Sequence, residues 1–271
     1  MKFNRLSVLA GILAIVAIST VAHATQIYSL NFSTAVPGTQ LDKNGLGTGF
    51  TTRLAGTGGA IAPSDPNLVL DRRAGWLRMT STNGDINGQR ANATMDFIGI
   101  DLSSLAYTGT QDFVVSASFV NVPTDFPSQS NSFDQFGVFV GEDSLYLTRG
   151  GGTNYNAFGA PEFEAFGDNI FNGGKFDDAF FGPLTGNAMQ IEISRTGGVW
   201  KTLVNGFDRT PLFQPNFLDN PNLVAGVWLY STDDSQFIVD LTSFQVTVVP
   251  EPASAALLLS SLGLIWGVRR K

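Results

Sequence analysis

Apolar and polar residues alternate with a period of two along most of this chain. The alternation shows at Tyr28, Leu30 and Phe32, at Phe113, Val115, Ala117 and Phe119, and at Phe136, Val138 and Val140. It returns at Met189, Ile191 and Ile193 and at Phe237, Val239 and Leu241. Successive side chains of a strand point to opposite faces, so this period predicts strands with one face buried. The segments are short and are separated by Gly, Asn, Asp and Pro. Five Asn-Gly dipeptides, at 44, 83, 87, 172 and 205, supply the positive φ that type I′ hairpin turns need, and Asn205-Gly206 falls between the run 199–204 and a segment led by Phe207. Between residues 25 and 249 no stretch keeps a 3.6-residue apolar period with a cap at each end. The expectation is an all-β domain, an antiparallel two-sheet sandwich of the jelly-roll type with most of its Phe residues inside. A barrel or a solenoid is the alternative, and the lack of a fixed-period repeat weighs against the solenoid.

The two ends break this pattern. Lys2 and Arg5 precede the apolar run 6–18, and Ala22-His23-Ala24 follows with small residues at the spacing that a signal peptidase reads. This layout predicts a helical secretory leader over residues 1–24, cut after Ala24. At the other end, Pro250-Glu251-Pro252 precedes a mostly apolar run from Ala253 to Val268 and a basic cluster, Arg269-Arg270-Lys271. The prolines stop the preceding fold and restart the chain. A helix over 253–268, at about 1.5 Å per residue, falls slightly short of a hydrocarbon core of roughly 30 Å, and the basic cluster is able to reach the headgroups. The organisation predicted is a leader at 1–24, a β-sandwich at 25–248 and a tail at 249–271 with a transmembrane helix at 253–268. Positive charge flanks both apolar segments on their outer ends, so everything between them should be exported. The tail reads as a permanent anchor or as a segment removed after sorting.

Val249-Pro250-Glu251-Pro252-Ala253, the run Ala255-Ala256-Leu257-Leu258-Leu259 and the closing Arg269-Arg270 resemble the PEP-CTERM sorting signal of Gram-negative bacteria. That resemblance implies recognition by an exosortase-type membrane enzyme, cleavage near the Pro-Glu-Pro step, and a link to exopolysaccharide and the biofilm matrix. It further implies a precursor held in the inner membrane, then a product at the cell surface or in the matrix.

Charge and composition narrow the chemistry. Of 16 Lys and Arg, 2 lie in the leader and 3 in the tail, and of 23 Asp and Glu only Glu251 lies outside 25–249. That segment therefore carries 11 cations against 22 acids. Such acidity argues against nucleic acid or anionic lipid as a partner. The only histidine, His23, is in the leader, and the chain has no cysteine. A mature chain of this composition has no Ser-His-Asp triad, Cys nucleophile, His-ligated zinc or disulfide. Neither a Gly-x-Ser-x-Gly elbow nor a phosphate-cradling loop is present. Asp85-Ile86-Asn87-Gly88, Asp177-Asp178 and Asp233-Asp234 offer oxygen ligands, but none completes a calcium loop, and they read as solvated turns. No metal and no cofactor is expected.

A second resemblance covers the middle of the chain. Leu30-Asn31-Phe32, Gly75-Trp76-Leu77-Arg78-Met79, Asp112-Phe113-Val114-Val115-Ser116, Phe136 to Val140, Ile191 to Arg195 leading to Trp200, and Val224 to Trp228 look like the strands of concanavalin A-like lectin/glucanase domains. Two segments rich in Gly and polar residues, 50–66 and 150–187, read as loops where such a sandwich keeps binding groups. Glu162, Glu164 and Asp168 have the composition that glycoside hydrolysis needs, yet the glucanases of this fold use Glu-x-Asp-x-x-Glu and the spacing here differs. Sugars stack on aromatic faces. Trp76, Trp200 and Trp228 sit inside strand-like runs and read as core, and Tyr146 and Tyr230 are further aromatics. Tyr155, just after the Gly-rich stretch that ends at Asn154, is the aromatic better placed for exposure, and Tyr155 and Asn154 are the candidate ligand-binding residues. The expectation is an exported, non-catalytic protein associated with exopolysaccharide. A secreted carbohydrate-active hydrolase and a ligand-free structural matrix protein are the alternatives.

Overall fold

The computed structural model describes residues 25–37, 39–55, 68–81, 96–122, 135–142, 150–156, 162–167, 175–180, 187–208, 210, 220–230 and 237–249. The leader expected at 1–24 with Ala22 and Ala24, the helix expected at 253–268 and the motif residues Pro250, Glu251, Pro252, Arg269 and Arg270 lie outside them. Among the described residues the regular structure is β, apart from one 3-10 turn at Leu102–Leu105. No described helix is long and apolar enough to cross a membrane.

The strands form two antiparallel sheets. In the first, β13 (Phe207–Asp208), β12 (Val199–Val204), β11 (Ala188–Thr196), β6 (Asp112–Val120), β15 (Phe237–Val249), β4 (Trp76–Ser81) and β3 (Leu68–Arg73) follow one another in space, and β1 (Gln26–Leu30) also pairs with β15. In the second the order is β10 (Lys175–Phe180), β9 (Glu162–Gly167), β8 (Gly150–Asn156), β7 (Gln135–Glu142), β14 (Leu223–Tyr230), β5 (Asp96–Asp101) and β2 (Thr52–Ala55).

The period of two becomes a core because its apolar half faces the other sheet. Along β6, Phe113, Val115, Ala117 and Phe119 are buried and every alternate residue is half-exposed. From the second sheet Phe136, Val138 and Val140 enter the same cluster, as do Ile98, Ile100, Ala225 and Val227. Phe119 of β6 meets Phe136 of β7 across the gap, with ring centroids 4.8 Å apart and planes at 64°. Trp200 and Phe113 close one side of this core at 6.5 Å and 80°. Edge-to-face pairs of this kind add about 0.5–1.5 kcal/mol beyond the area they bury. Trp200 and Trp228 are core residues, as the strand-like runs around them predict, whereas Trp76 opens β4 half-buried.

Three elements depart from simple alternation. β1 ends at Leu30, and Phe32 leaves the strand with φ 57° while remaining buried. In β15 the inward set is Val239 and Leu241 and then Phe244, Val246 and Val248, so the parity reverses between 241 and 244, which marks an extra residue in the strand. The two halves of β15 accordingly serve different partners, 237–241 lying beside β4 and 244–248 beside β1. Third, residues 223–229 of β14 are buried without interruption.

The turns follow backbone chemistry. Asn205 and Gly206 have φ 49° and 81°, the I′ signature, and join β12 to β13. Asn44-Gly45 lies in the loop from β1 to β2, where Leu41 and Gly47 form an isolated antiparallel bridge. The Asn-Gly steps at 83, 87 and 172 lie outside the described residues.

The outer side of the first sheet holds a sunken ion pair. Asp240, with no exposed surface, accepts from Arg78 Nε and Nη2 at 2.8 Å each and from Asn121 Nδ2 at 2.5 Å. Arg78 faces it directly across the β4–β15 ladder. The two parallel N–H to oxygen bonds match the planar fork of guanidinium to carboxylate, and they raise the guanidinium above its already high ordinary range.

Candidate functional site

The segment 150–187, expected to be loop, holds three strands, β8, β9 and β10, which extend the second sheet beyond β7. This corrects the loop reading. Neighbouring strands satisfy the backbone polar groups of a Gly-rich segment just as side chains satisfy a core, so ladder pairing prevails over the weak strand propensity of Gly150, Gly151 and Gly152. Asp177 and Asp178 likewise lie within β10 and not in a turn. In the other candidate loop, 50–66, Thr52–Ala55 forms the edge strand β2.

Register decides which residues of this extension come together. Asn154 stands opposite Glu164, and Glu164 stands opposite Asp178. Residues directly opposed in an antiparallel pair share a face and lie about 4.5–5.5 Å apart at Cβ. The row therefore gathers an amide residue and two acidic residues from three strands. Two residues along, on the same parity, Asn156 opposes Glu162. Tyr155, the other sequence candidate, stands opposite Phe136 and Phe163, at the alternate parity and in line with a core residue of β7. Thus the register joins Asn154 to Glu164 and separates both from Tyr155. Of the acids weighed for hydrolysis, Glu162 and Glu164 fall on one face of β9, while Asp168 lies outside the described residues. Tyr146, Asp85 and Asp233-Asp234 do as well, and Tyr230 closes β14. Among the motif residues at the C-terminal end, Val249 is described: it is the last residue of β15 and is exposed.

Sequence reading did not anticipate the Asn154–Glu164–Asp178 row. Asn154 and Asp178 are 24 positions apart, and only the lengths of two turns set them in line. The alternation of Glu162 and Glu164 with Phe163 and Ala165 along β9 was the available signal.

A second polar cluster lies on the outer edge of the first sheet, where the loop after β1 lies against β3. Asp42 accepts from the backbone N–H groups of Asn44 (2.8 Å), Leu46 (2.8 Å) and Arg72 (2.9 Å), and Lys43 N–H donates to the Leu70 carbonyl at 2.9 Å. These bonds cap the free side of β3, which would otherwise offer open donors and acceptors to another chain. Burial pushes the Asp42 carboxyl upward, but the Leu46, Arg72 and Asn44 bonds to its charged form outweigh it and hold it below the ordinary carboxylate range. Asp71 is held low by Lys43 Nζ at 2.9 Å and then by Arg73 Nη2 at 2.7 Å. Among the described residues no group of three acidic, His or Cys side chains is arranged to hold a metal ion.

No protein-family model matches the sequence, and no curated protein matches it. Solved structures do resemble it in fold. A protein of unknown function from Shewanella oneidensis MR-1 aligns at TM-score 0.55 and 9% identity, covering 88% of this chain and 93% of that one. The CBM2 module of an evolved Dit protein from Lactobacillus casei phage J-1 aligns at TM-score 0.50 and 11% identity, covering 84% and 97%. The GH43 protein BlXynB from Bacillus licheniformis aligns at TM-score 0.51 and 8% identity, and although 82% of this chain is covered, the match spans 39% of that larger one. At such identities the likeness is one of fold alone: an antiparallel two-sheet β-sandwich.

Proposed function

We propose that this is an exported protein of the cell surface or matrix whose sandwich binds glycan without cleaving it, and that its tail is a PEP-CTERM sorting signal processed by an exosortase-type enzyme. The observation that carries the glycan reading is the row Asn154–Glu164–Asp178. Two acidic residues directly opposed across a ladder repel each other, and the arrangement suits a ligand rich in hydroxyl donors, which carboxylates accept while an amide both donates and accepts. A CBM2 module on the same fold supports this reading, and the leader and tail at either end of the chain support export.

Hydrolysis is the second reading, favoured by one specific observation. Glu164 and Asp178 stand directly opposite each other in the β9–β10 register, two acidic residues of the type that retaining glycosidases pair, and part of a GH43 protein resembles this fold. A glycan array read for both retention and product, with the full chain and its Asn154→Ala and Glu164→Gln variants, separates the readings. Retention lost in both variants with no product supports binding. Product formation abolished by Glu164→Gln supports hydrolysis, and silence from the parent protein removes both. For the tail, replacing Pro250, Glu251 and Pro252 together by Ala should block processing in a host that carries the enzyme; an unchanged mass of the mature product would refute the sorting assignment.

A further inference from the structure

Between residues 25 and 249 the chain carries 22 acids against 11 cations, yet the outer edge of the first sheet reverses that balance. Lys43, Arg72 and Arg73 stand there with Asp42 and Asp71, three cations against two carboxylates. The Asp42 charge is met by backbone N–H groups, so it does not draw a cation inward. Asp71 alone answers both Lys43 and Arg73, whose side chains remain 48% and 47% exposed. Positive charge therefore remains at the surface.

Three features mark the same edge as more than a solvated corner. Phe32 is a buried aromatic residue in the left-handed region, a conformation that costs on the order of 1–3 kcal/mol and persists only when its surroundings impose it. Its carbonyl accepts from Arg72 Nη2 at 3.1 Å, while Arg72 Nε is buried without a partner among the described residues. The loop that carries Lys43 also exposes Leu41 (53%) and Leu46 (40%), and Leu46 N–H is bound to Asp42, so their backbone is fixed.

We infer that this edge binds a carboxylated polysaccharide, with Lys43 and Arg73 pairing uronate carboxylates and Leu41 and Leu46 receiving the C–H face of a sugar ring. The inference rests on the reading that the partner is a polysaccharide, and it adds a charge class and a second contact surface apart from the Asn154 row. Charge complementarity selects the occupant. The acidic remainder of the domain repels a polyanion, so a uronate chain is drawn to this edge. Guanidinium and carboxylate meet in a planar two-point geometry, and apolar side chains cover the hydrogens that a sugar presents on one face.

Affinity electrophoresis of the full-length protein in mild detergent, through gels holding polygalacturonate, dextran or dextran sulfate, tests this directly. Polygalacturonate should retard the protein, and added salt should release it, because these exposed pairs are screened within a Debye length of about 8–10 Å. The double variant Lys43→Gln/Arg73→Gln should weaken retardation about tenfold, equal to about 1.4 kcal/mol. Leu41→Ser, at a side chain exposed to solvent, should weaken it less while leaving the unfolding midpoint in place, which guards against a charge variant that merely unfolds. No retardation by polygalacturonate, equal retardation of parent and double variant, or binding to anionic vesicles in its stead would each overturn the inference. Loss of neutral-glycan retention on the array with polygalacturonate binding intact would instead remove the Asn154 row alone.

Discussion

The two sheets solve the same packing problem differently. In the first sheet, β6 buries one face and leaves the other half-exposed, and β11 alternates in the same way from Ala188 to Ile193 before Ser194 and Arg195 are buried as well. In the second, β14 is buried on both faces: Leu223, Ala225, Val227 and Leu229 belong to the core between the sheets, while Val224 and Trp228, at the opposite parity, are buried too. Phe139 of β7 belongs with that second set. A strand covered on both sides loses its alternation and becomes a continuous apolar run, Leu223 to Tyr230. Backbone approach changes with it. Gly226 and Gly99 oppose each other across the β14–β5 ladder; a Cβ on Gly226 would collide with the Ile98 carbonyl oxygen, and one on Gly99 would lie 2.6 Å from the Ala225 carbonyl oxygen. The first sheet tolerates polar side chains on its outer face, and the second is closed to added volume at its centre.

The sharpest way to break this contrast is at Asp240, the one fully buried charge described on the first sheet's outer face. Arg78→Ala leaves that carboxylate buried without its cation and should cost about 3–5 kcal/mol in urea denaturation. Asp240→Asn, which keeps the Asn121 contact and leaves a side chain able to reach water at Arg78, should cost less. Equal losses would show that the pair is not sunken. Next in size is Gly226→Ala, which should destabilise by about 1–3 kcal/mol through forced separation of β14 from β5. Ser116→Ala, on the outer face of β6, should stay within about 0.5 kcal/mol. A neutral Gly226→Ala would remove the claim that the second sheet is closed to volume.

The smallest effect concerns the capped edge at β3. The Asp42 carboxyl titrates lower in the folded chain than its unfolded value of about 3.9. Its contribution is therefore fully present above that value and declines as pH falls through the lower folded one. Asp71 acts in the same sense. Urea midpoints should fall as pH drops below about 4, and Asp42→Asn should flatten that slope. A parent slope unchanged by the substitution would assign the acid sensitivity elsewhere.

Particular residues show how far the sequence could be read. Phe113 to Phe119 and Met189 to Ile193 announce their strands because one face of each meets apolar side chains and the other meets water. β14 announces only that it is apolar, since burial on both faces erases the alternation. The parity reversal in β15 was invisible for a different reason: Thr242 and Ser243 read as ordinary strand residues, and only the need to pair with β4 at one end and β1 at the other forces an extra residue between them. β8 was hidden by its glycines, whose strand conformation is supplied by neighbours and not by their own propensity.

The sequence by itself determined an all-β domain without His or Cys chemistry, because composition and a period of two are properties of the chain alone. It also set the charged and apolar segments at either end on which the proposed export and sorting rest. Tertiary structure alone decided that Asn154, Glu164 and Asp178 share one row and that Lys43 and Arg73 converge on Asp71. Register and loop docking depend on turns and partners distant in the chain, and no local pattern encodes them.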